Sequence, residues 1–249
     1  MEGGRILRNS QIIVLGVCIA AATIISSIII SQGILKVMRF TREQITVTGS
    51  AQKDITSDLI VWRGEFTRRD ADLKSAYAGL KADYEKVKRY LDSKGVKAGE
   101  AGFSSVTTTT LYKKNEKGND TNDIQGYILT QAVEIRSADV MRITEVSRQA
   151  TDLIADGVEF SSDAPQYFYT KLDELKIEML ARASENAKAR ADNMVRAAGN
   201  RIGFMRSAKM GVFQITPANS TDVSDWGMND ASSLEKKVTA VVSVAFAIE

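Results

Sequence analysis

The stretch LIVWRGEFTRR at Leu59–Arg69, followed by DADLKSAYAGLKADYEKVKRYLDSKG at positions 70–95, joins a strand pattern to a helix pattern. Its first part alternates apolar and polar residues and is rich in β-branched and aromatic side chains, which predicts a β-strand. Its second part predicts a helix from about Asp70 to Lys94, with Asp70 as its N-terminal cap and Gly95 at its end. The predicted apolar face of this helix consists of Leu73, Tyr77, Leu80, Tyr84, Val87 and Leu91.

The patterns that follow predict a β-α-β-β-α-β order from Leu59 to Ser162. FSSVTTTTLYKK and IQGYILTQAVEIRS predict two strands joined by a turn at NEKGND, because runs of threonine favour strands over helices. A second helix is predicted at about Asp139–Ala155, and the strand VEFSS follows it, bounded by Pro165. The predicted inward residues of that helix are Val140, Ile143, Ala150, Leu153 and Ile154. This order is typical of ferredoxin-like folds, in which two helices cover one face of an antiparallel sheet.

The stretch TKLDELKIEMLARASENAKARADNMVRAAGNRIG at Thr170–Gly203 predicts a long helix that ends at Gly199. Thr170 and Asp173 fit a capping box at its start. An alanine-rich stripe predicts tight packing against a sheet or another helix; it consists of Leu172, Leu175, Met179, Ala183, Ala187, Ala191, Met194 and Ala198. The charges lie on other faces as the i,i+4 pairs Glu178–Arg182, Lys188–Asp192 and Asp192–Arg196, which predicts a solvated face and a structural role.

An uncharged segment lies between Arg8 and Lys36, and its apolar run is long enough to span a membrane as a helix. The sequence therefore predicts a short tail at residues 1–10, a transmembrane signal anchor at 11–35, a linker at 36–43 and one domain at 44–249. A signal peptide cleaved at Ala20–Thr23 and a buried core helix are the alternatives. Because basic residues flank both ends, the charge distribution does not decide the orientation.

Taken together, the patterns predict an α+β fold. A ferredoxin-like βαββαβ antiparallel core carries an additional long helix and the C-terminal strands GFMRSAKMGVFQI and KKVTAVVSVAFAIE, and one N-terminal transmembrane helix precedes it.

The composition narrows the chemistry that this chain can perform. It contains no histidine, which excludes histidine bases, histidine metal ligands and Ser-His-Asp triads. Cys18 is the only cysteine, which excludes an intrachain disulfide and a cysteine metal cluster. A net charge of +2, with acids and bases mixed along the chain, argues against a nucleic-acid-binding surface. We therefore predict no cofactor, no metal site and no nucleic-acid partner.

Three segments are candidates for chemistry or for contacts. Ser50 and Lys53 match the S-x-x-K motif of acyl-enzymes, but they lie in a predicted strand and no K-T-G accompanies them. The segment Asn115–Asp123 has oxygen ligands suited to Ca²⁺, although a hairpin turn explains it better. Trp226 and Met228 lie in the long polar stretch 216–235, where an exposed tryptophan would suit a subunit contact and a buried one would pack on its own domain. We assign no catalytic, cofactor-binding or metal-binding residue.

Four segments resemble the SIMPL-domain family: ITVTGSAQKDITSD, GYILTQAVEIRSADVMRITEVSRQATDLIADGVEF, ARASENAKARADNMVRAAGNRIG and the closing VTAVVSVAFAI. The resemblance covers the chain from about Gln44 to the C-terminus. It implies an extracytoplasmic α+β domain with no established enzymatic activity, and relatives that include ring-like oligomers and proteins linked to oxidative-stress tolerance. One difference is Ser57 before Asp58, where many members of the family carry a proline.

The predicted function is a non-enzymatic, oligomeric scaffold of the cell envelope, with a link to stress tolerance as a further expectation. A single span would anchor it in the cytoplasmic (inner) membrane, with the C-terminal domain in the periplasm or outside the cell. The expected partners are the membrane, further copies of the chain and an envelope protein. The alternatives are an envelope sensor or adaptor that binds a partner protein or ligand, and a hydrolase that uses carboxylate or Ser/Lys chemistry.

Overall fold

The computed structural model describes residues 3–222 and 224–249, with side chains described at positions 14–35, 43–222 and 224–249. Met1 and Glu2 of the predicted tail, and the basic side chains that flank the apolar segment, lie outside this part of the chain. The chain has a mixed α+β fold with two β-sheets, and its residues group into two compact units. Unit 1 comprises Met1–Ser50, Arg182–Gly211 and Val241–Glu249, and unit 2 comprises Ala51–Ala181 and Val212–Ala240.

The elements follow one another from a long N-terminal helix to a long C-terminal strand. The helices are α1 (Gly3–Arg42), α2 (Leu73–Ser93), α3 (Val140–Gln149), a 3₁₀ helix (Ala150–Ile154) and α4 (Leu172–Ala197). The strands are β1 (Gln44–Thr56), β2 (Leu59–Asp70), β3 (Ala101–Phe103), β4 (Thr107–Lys114), β5 (Asp120–Ser137), β6 (Glu159–Ser162), β7 (Gln166–Phe168), β8 (Ile202–Met210), β9 (Gln214–Pro217), β10 (Met228–Asn229) and β11 (Glu235–Ile248).

Unit 2 contains an antiparallel six-stranded sheet with the order β3-β5-β2-β6, in which β4 also pairs with β5 and β7 with β2. The central strands β2 and β5 place Trp62 opposite Ile135. Side chains of α2 and α3 join those of the sheet in one buried cluster around Trp62, Phe66 and Leu80. The predicted succession of strands and helices from Leu59 to Ser162 is present, and β7 is a further strand after Pro165.

The strand predicted at Phe103–Lys114 is divided into β3 and β4. The cause is Ser104, whose hydroxyl oxygen accepts a hydrogen bond from the backbone N–H of Ala132 at 3.0 Å. The carbonyl of Ser104 accepts from the side chain of Gln131 at 2.8 Å. Side-chain groups take the place of backbone groups in the hydrogen bonds between the two strands here. The strand pairing is therefore interrupted at residues 104–106.

Helix α2 differs from its prediction in its cap and in its apolar face. The cap predicted at Asp70 is wrong, because Asp70 still pairs with Tyr127 as the last residue of β2. Asp72 caps the helix instead and accepts from the N–H of Ser75 at 2.9 Å. Leu73 and Tyr77 were predicted inward but are exposed, since the buried line runs through Ala76, Leu80, Asp83, Val87 and Leu91. Gly95 ends the helix as predicted, with a φ of +75° that favours glycine.

The second predicted helix ends in a 3₁₀ segment, and this changes which residues face inward. Val140, Ile143, Ala150 and Leu153 are buried as predicted, but Ile154 is exposed. A 3₁₀ helix has three residues per turn, so Ala150 and Leu153 lie on one side and the next residue turns away from the core.

Helix α4 confirms the predicted stripe in its middle and not at its ends. Leu175, Met179, Ala183, Ala187 and Ala191 are buried, but Met194 and Ala198 are exposed and Leu172 is half-buried. The buried line advances by four residues at every step, so that Val195 continues it in place of Met194. The predicted capping box is also wrong, because the hydroxyl and the N–H of Thr170 both donate to the Asp58 carboxylate at 2.7 Å.

In unit 1, the alanine stripe packs directly on β1. A Cβ placed on Gly49 would lie 2.7 Å from the Cβ of Ala187 and closer still to backbone atoms of Ala183 and Ala187. Only glycine on the strand and alanine on the helix allow this distance, because normal contacts between carbon atoms begin near 3.5 Å. The prediction that the stripe lies tight against a sheet is therefore confirmed.

The strands of the second sheet belong to both units. In unit 1, β8 pairs antiparallel with Val242–Ile248 of β11, and the N–H of Ile248 donates to the carbonyl of Glu43 before β1. In unit 2, Lys236–Thr239 of β11 pairs with β9, and β10 runs parallel to β9. The C-terminal strand was predicted, and Val238, Val242 and Val244 of it are buried.

Helix α1 contains the predicted span. Its segment Val14–Leu35 is long and apolar enough to cross a membrane, with a mean hydropathy of 2.4, and 0% of it is buried. A signal sequence near the N-terminus would pass the same test. Cys18 lies in this segment and is exposed.

Candidate functional site

The S-x-x-K candidate does not form a catalytic pair. Ser50 and Lys53 lie on β1, where residues three apart point to opposite faces of the strand. The N–H of Ser50 donates to the side chain of Asn186 at 3.2 Å. The ammonium of Lys53 binds the carboxylate of Glu178 at 2.7 Å. A lysine that is turned away from the serine and paired with a carboxylate does not serve as its base.

The Ca²⁺ candidate at Asn115–Asp123 is the turn of the β4–β5 hairpin. The side-chain oxygen of Asn115 accepts from the N–H groups of Lys117 and Asn119, both at 3.0 Å. This oxygen is therefore used to close the turn. Among the residues that the structure describes, no group of three or more His, Cys, Asp or Glu side chains is placed to hold a metal ion.

A buried carboxylate on α2 is one ionic feature that the sequence interpretation missed. Asp83 is 1% exposed, and its oxygens lie 3.5 Å from a guanidinium nitrogen of Arg68 and 3.6 Å from the ammonium of Lys86. Lys86 also donates to the carbonyl of Asp156 at 2.8 Å. Asp83 stands three residues after Leu80 and four before Val87, so its position on the apolar face could have been recognised. The two cations balance its charge, so we interpret this cluster as part of the structure and not as a catalytic site.

A second ionic cluster fixes the segment between α2 and β3. Arg142 on α3 donates to both oxygens of Glu100 at 3.2 and 3.1 Å, to Asp139 at 3.0 Å and to the carbonyl of Gly95. The hydroxyl of Ser137 donates to Glu100 at 2.5 Å. This hydrogen bond, with one from a backbone N–H and the nearby Arg142, holds the pKa of Glu100 below its usual value.

A shallow groove runs along α2 beside β3. Two hollows of about 230 and about 200 Å³ are both lined by Tyr84, and the centre of its ring lies 4.6 Å from the centre of the Phe103 ring. The first hollow has Lys81 and Glu85 at its rim. The second has charged residues of both signs, Lys88, Asp92 and Lys97. Both hollows are therefore lined by apolar and by charged side chains.

The polar stretch 216–235 is held at several points within unit 2. Near its start, the side chain of Gln214 donates to the carbonyl of Ser224 at 2.5 Å and accepts from the N–H of Ser224 at 3.4 Å. Near its end, the N–H of Tyr167 donates to the carbonyl of Ala231 at 2.8 Å. The N–H of Ser57 donates to the carbonyl of Leu234 at 2.9 Å. Gln214 just before the stretch and two distant residues, Tyr167 and Ser57, therefore fix it.

Lys236 connects the same stretch to β7 from inside the protein. Its side chain is 2% exposed, and its ammonium donates to the carbonyl of Tyr167 at 2.6 Å and to the carbonyl of Asp230. Burial lowers the pKa of Lys236, although the charge of Asp230 opposes the shift. Burial alone would raise the pKa of Asp230, but hydrogen bonds from Ser232 and Ser233 lower it.

Trp226 stands on this fixed stretch with its side chain 94% exposed. Gly227 follows with a φ of +86°, which allows the chain to turn sharply behind it. The stretch 216–235, with Glu235 included, has four acidic residues and no lysine or arginine. Of the two alternatives for Trp226, packing on its own domain is wrong and exposure is correct. An exposed tryptophan on an anchored acidic segment is suited to binding a partner.

Solved structures with partial similarity carry little information. Two hydantoinase/carbamoylase family amidases are each 14% identical in sequence to this chain. The match to the amidase from Burkholderia ambifaria covers 44% of this chain with a TM-score of 0.23. The match to the amidase from Burkholderia multivorans covers 49% of this chain with a TM-score of 0.24. The chain spans only 28% and 29% of those two proteins. The regulatory subunit of aspartate kinase from Thermus thermophilus is 13% identical, with 81% of this chain and 88% of that chain covered and a TM-score of 0.19. TM-scores this low support no argument about fold or activity.

The family comparison is informative. No curated protein matches the chain. The SIMPL family profile, described as "Protein of unknown function (DUF541)", matches residues 45–246. This range includes residues of both units, and it covers the segments on which the resemblance was based except for the last two residues of the closing one. The chain belongs to the SIMPL family.

Proposed function

We propose that this chain is a membrane-anchored, non-enzymatic scaffold of the cell envelope that assembles with further copies of itself. The observation that carries the proposal is the combination of two exposed features, an unburied apolar helix at Val14–Leu35 and an anchored tryptophan at Trp226. A membrane would cover the first feature and a protein partner the second. The domain after Arg42 lies outside the cytoplasm, as the family resemblance implies.

The ionic groups support a structural role. Glu100, Arg142 and Lys236 use their charges to fix connecting segments, and Asp83 is neutralised inside unit 2. Catalytic acids and bases need access to a substrate, whereas these groups are bound to other groups of the same chain. We therefore propose a binding and assembly function, to which stress tolerance would be linked through the integrity of the envelope.

Two fractionation experiments test the anchor and the side of the membrane. After carbonate washing, the full-length chain should remain in the membrane pellet and keep its original N-terminus. Protease added to spheroplasts should digest the domain while a cytoplasmic marker stays intact. An N-terminus that begins near Thr23 would replace the anchor by a cleaved signal peptide, and full protection from protease would contradict the outward orientation.

An envelope sensor or adaptor is the second candidate, and the groove beside Tyr84 favours it. Each hollow is smaller than a small-ligand pocket of about 300 Å³ or more, but the two together exceed that volume. Tyr84 lines both hollows, so Tyr84→Ala would change both of them. If the sensor role is correct, cells that carry this variant should lose the stress tolerance linked to the protein, while the oligomer mass of the variant and its stability to urea stay unchanged. The scaffold role expects no phenotype from the same variant.

We also interpret the sheet of unit 2 as a split βαβ arrangement of the ferredoxin-like type. The observed order, in which β5 and β6 flank β2 and the β4–β5 hairpin lies at one side, supports this interpretation. An experimental structure with a different connection or strand direction would contradict it.

A further inference from the structure

One edge of the sheet in unit 2 is open at β4. Among the described strands β4 pairs only with β5, so no strand of the chain lies against its other side. Its first half, residues 107–110, is a run of four threonines, which are uncharged and favour β-structure. The pairing with β5 is irregular only near the hairpin tip, where the extra residues lie on β5, so β4 itself stays regular.

The opposite edge of the same sheet is protected against a further strand. β6 and β7 are short and are separated by Pro165, and the N–H of Tyr167 in β7 already donates to the carbonyl of Ala231. Short strands, proline and covering segments are devices that keep an edge from pairing. In β4 the only charged residues are Lys113 and Lys114 at the tip. The threonine run lacks these devices, and another β-strand is what complements its free backbone groups.

The first hollow of the groove lies next to this open edge, on the side of the sheet that carries α2. Its lining includes Val106, which directly precedes β4, and Tyr77 of α2. Val106 is 36% exposed and Tyr77 is 56% exposed. An apolar surface therefore lies beside the free backbone groups, where an added strand would place its side chains.

Tyr112 of β4 is an exposed aromatic residue on the same side of the sheet. Thr108 lies opposite Leu129, which is buried in the cluster that includes α2. Side chains alternate along a strand, so Tyr112, four residues after Thr108, also points to the α2 side. Tyr112 is 43% exposed, and Ile124 opposite it is 49% exposed. The same edge strand therefore has a hollow near one end and an exposed ring near the other, both on one side.

We propose that β4 pairs antiparallel with β4 of a second copy of this chain, about a two-fold axis at Thr109. This inference rests on the self-assembly proposed above and names the surface that performs it. Val106 and Tyr112 lie three residues on either side of Thr109, so Tyr112 of each copy would lie opposite Val106 of the other. A two-fold contact makes each interaction twice, so both rings and both hollows are covered together.

The lysines at the hairpin tip agree with the antiparallel direction. In the proposed register, Lys113 and Lys114 of one copy lie opposite Ser105 and Ser104 of the other. A parallel contact would place each lysine opposite the same lysine of the second copy, and like charges directly opposite each other are destabilising. The positions of the charges therefore select one of the two possible directions.

The first test measures the mass of the full-length chain in detergent over a range of protein concentrations. Thr109→Lys and Thr109→Glu should each require about fivefold more protein for assembly or more, because like charges would meet at the axis. An equal mixture of the two variants should assemble at about the concentration of the wild type. Tyr112→Ala should require at least about tenfold more protein. Met141→Ala on α3 is the matched control, since Met141 is 68% exposed, and it should change nothing.

Cysteine cross-linking tests the register in a Cys18→Ser background. Residues directly opposite each other in an antiparallel pair have Cα atoms about 4.5–5.5 Å apart, a distance that a disulfide spans. Thr109→Cys should therefore give a disulfide-linked dimer on oxidation. Thr107→Cys is the matched control, because Thr107 is exposed on the same strand but would lie opposite Leu111. Its two cysteines would be roughly 13 Å apart along the strands and should not cross-link.

The possible outcomes separate this inference from the function on which it rests. If the wild-type chain assembles, but Thr109→Lys and Tyr112→Ala assemble equally well and Thr109→Cys does not cross-link, the contact at β4 is wrong and the scaffold stands. If the wild-type chain is monomeric at every concentration, both proposals are wrong. If Thr109→Cys in membranes cross-links only to a different protein, a strand of that protein occupies the edge and the contact between copies is overturned.

Discussion

Ala187→Glu is the substitution that tests most directly how this fold is held together. The side chain of Ala187 is 0% exposed and faces Gly49 on β1, within unit 1. A Cβ added to Gly49 would already lie 2.7 Å from the Cβ of Ala187. The interface therefore has no space for one further carbon atom, and glutamate adds four heavy atoms and a charge.

The expected cost follows from two contributions. Insertion of extra atoms into a packed contact costs about 1–3 kcal/mol. Burial of a carboxylate without a partner adds several kcal/mol, unless α4 moves away from β1 and exposes its alanine stripe to water. We expect a total loss of at least about 3 kcal/mol, which is a large part of the roughly 5–15 kcal/mol that stabilises a typical domain.

Ala189→Glu is the matched control, because it makes the same substitution two residues away at an exposed position of α4. Its cost should stay within about 0.5 kcal/mol. Gly49→Ala tests the contact from the strand side and should cost at least about 1 kcal/mol for the same reason as Ala187→Glu.

Urea unfolding of the full-length chain, followed by circular dichroism, measures the three stabilities. Hydrogen exchange of peptides from β1 and α4 should then show lost protection in Ala187→Glu and Gly49→Ala only. If Ala187→Glu and Ala189→Glu unfold at the same urea concentration, the tight contact does not exist and the explanation of the alanine stripe is refuted.

Three further predictions concern charged side chains inside ionic or hydrogen-bonded clusters, and urea unfolding measures the stability in each case. Asp83→Ala should cost about 1–3 kcal/mol, because two cations lose their buried partner but remain partly exposed, whereas Asp92→Ala on the exposed face of α2 should cost under about 0.5 kcal/mol. The pKa of Glu100 is lowered by folding, so its contribution to stability is complete above the usual pKa of 4.5 and is lost as the pH falls through the lowered value; Glu100→Gln should flatten the acid side of the stability curve, and an unchanged slope would contradict the cluster around it. Lys236→Met should leave two carbonyls without their donor, cost about 1–3 kcal/mol and expose the stretch 216–235 to limited proteolysis; equal protease resistance would show that Lys236 does not hold it.

Periodicity predicted most elements of the fold, because helices and strands repeat their side chains at fixed intervals. It placed α2, β5, α4 and β11 within a few residues of their observed ends. Its errors have identifiable causes, which are contacts with residues that are distant in the sequence. Thr170 was expected to cap its own helix, but a carboxylate from another part of the chain, Asp58, binds it instead. Val195 replaces Met194 in the buried line because the contact with the sheet follows every fourth residue.

The candidate site was less predictable than the fold. The sequence marked Trp226 as unusual but left open whether it was buried, because exposure depends on how the polar stretch around it is held. Two of the groups that hold it, in Ser57 and Tyr167, come from distant segments, and Lys236 directly follows the stretch. A lysine in a strand-forming segment gives no signal that it will be buried, and its role follows only from the two carbonyls that surround it.

The backbone and the side chain of Ser57 have opposite effects on stability. The backbone N–H of Ser57 donates to the carbonyl of Leu234 and so helps to fix the stretch that carries Trp226. A proline at this position, as the resemblance to the family suggests for many members, has no N–H and cannot make this bond. The serine hydroxyl is buried and has no hydrogen-bond partner among the described residues, which is unfavourable by about 1–3 kcal/mol. The benefit of serine here therefore comes from its backbone N–H, which holds Leu234, a residue that packs against the core of unit 2 near the end of the stretch that carries Trp226.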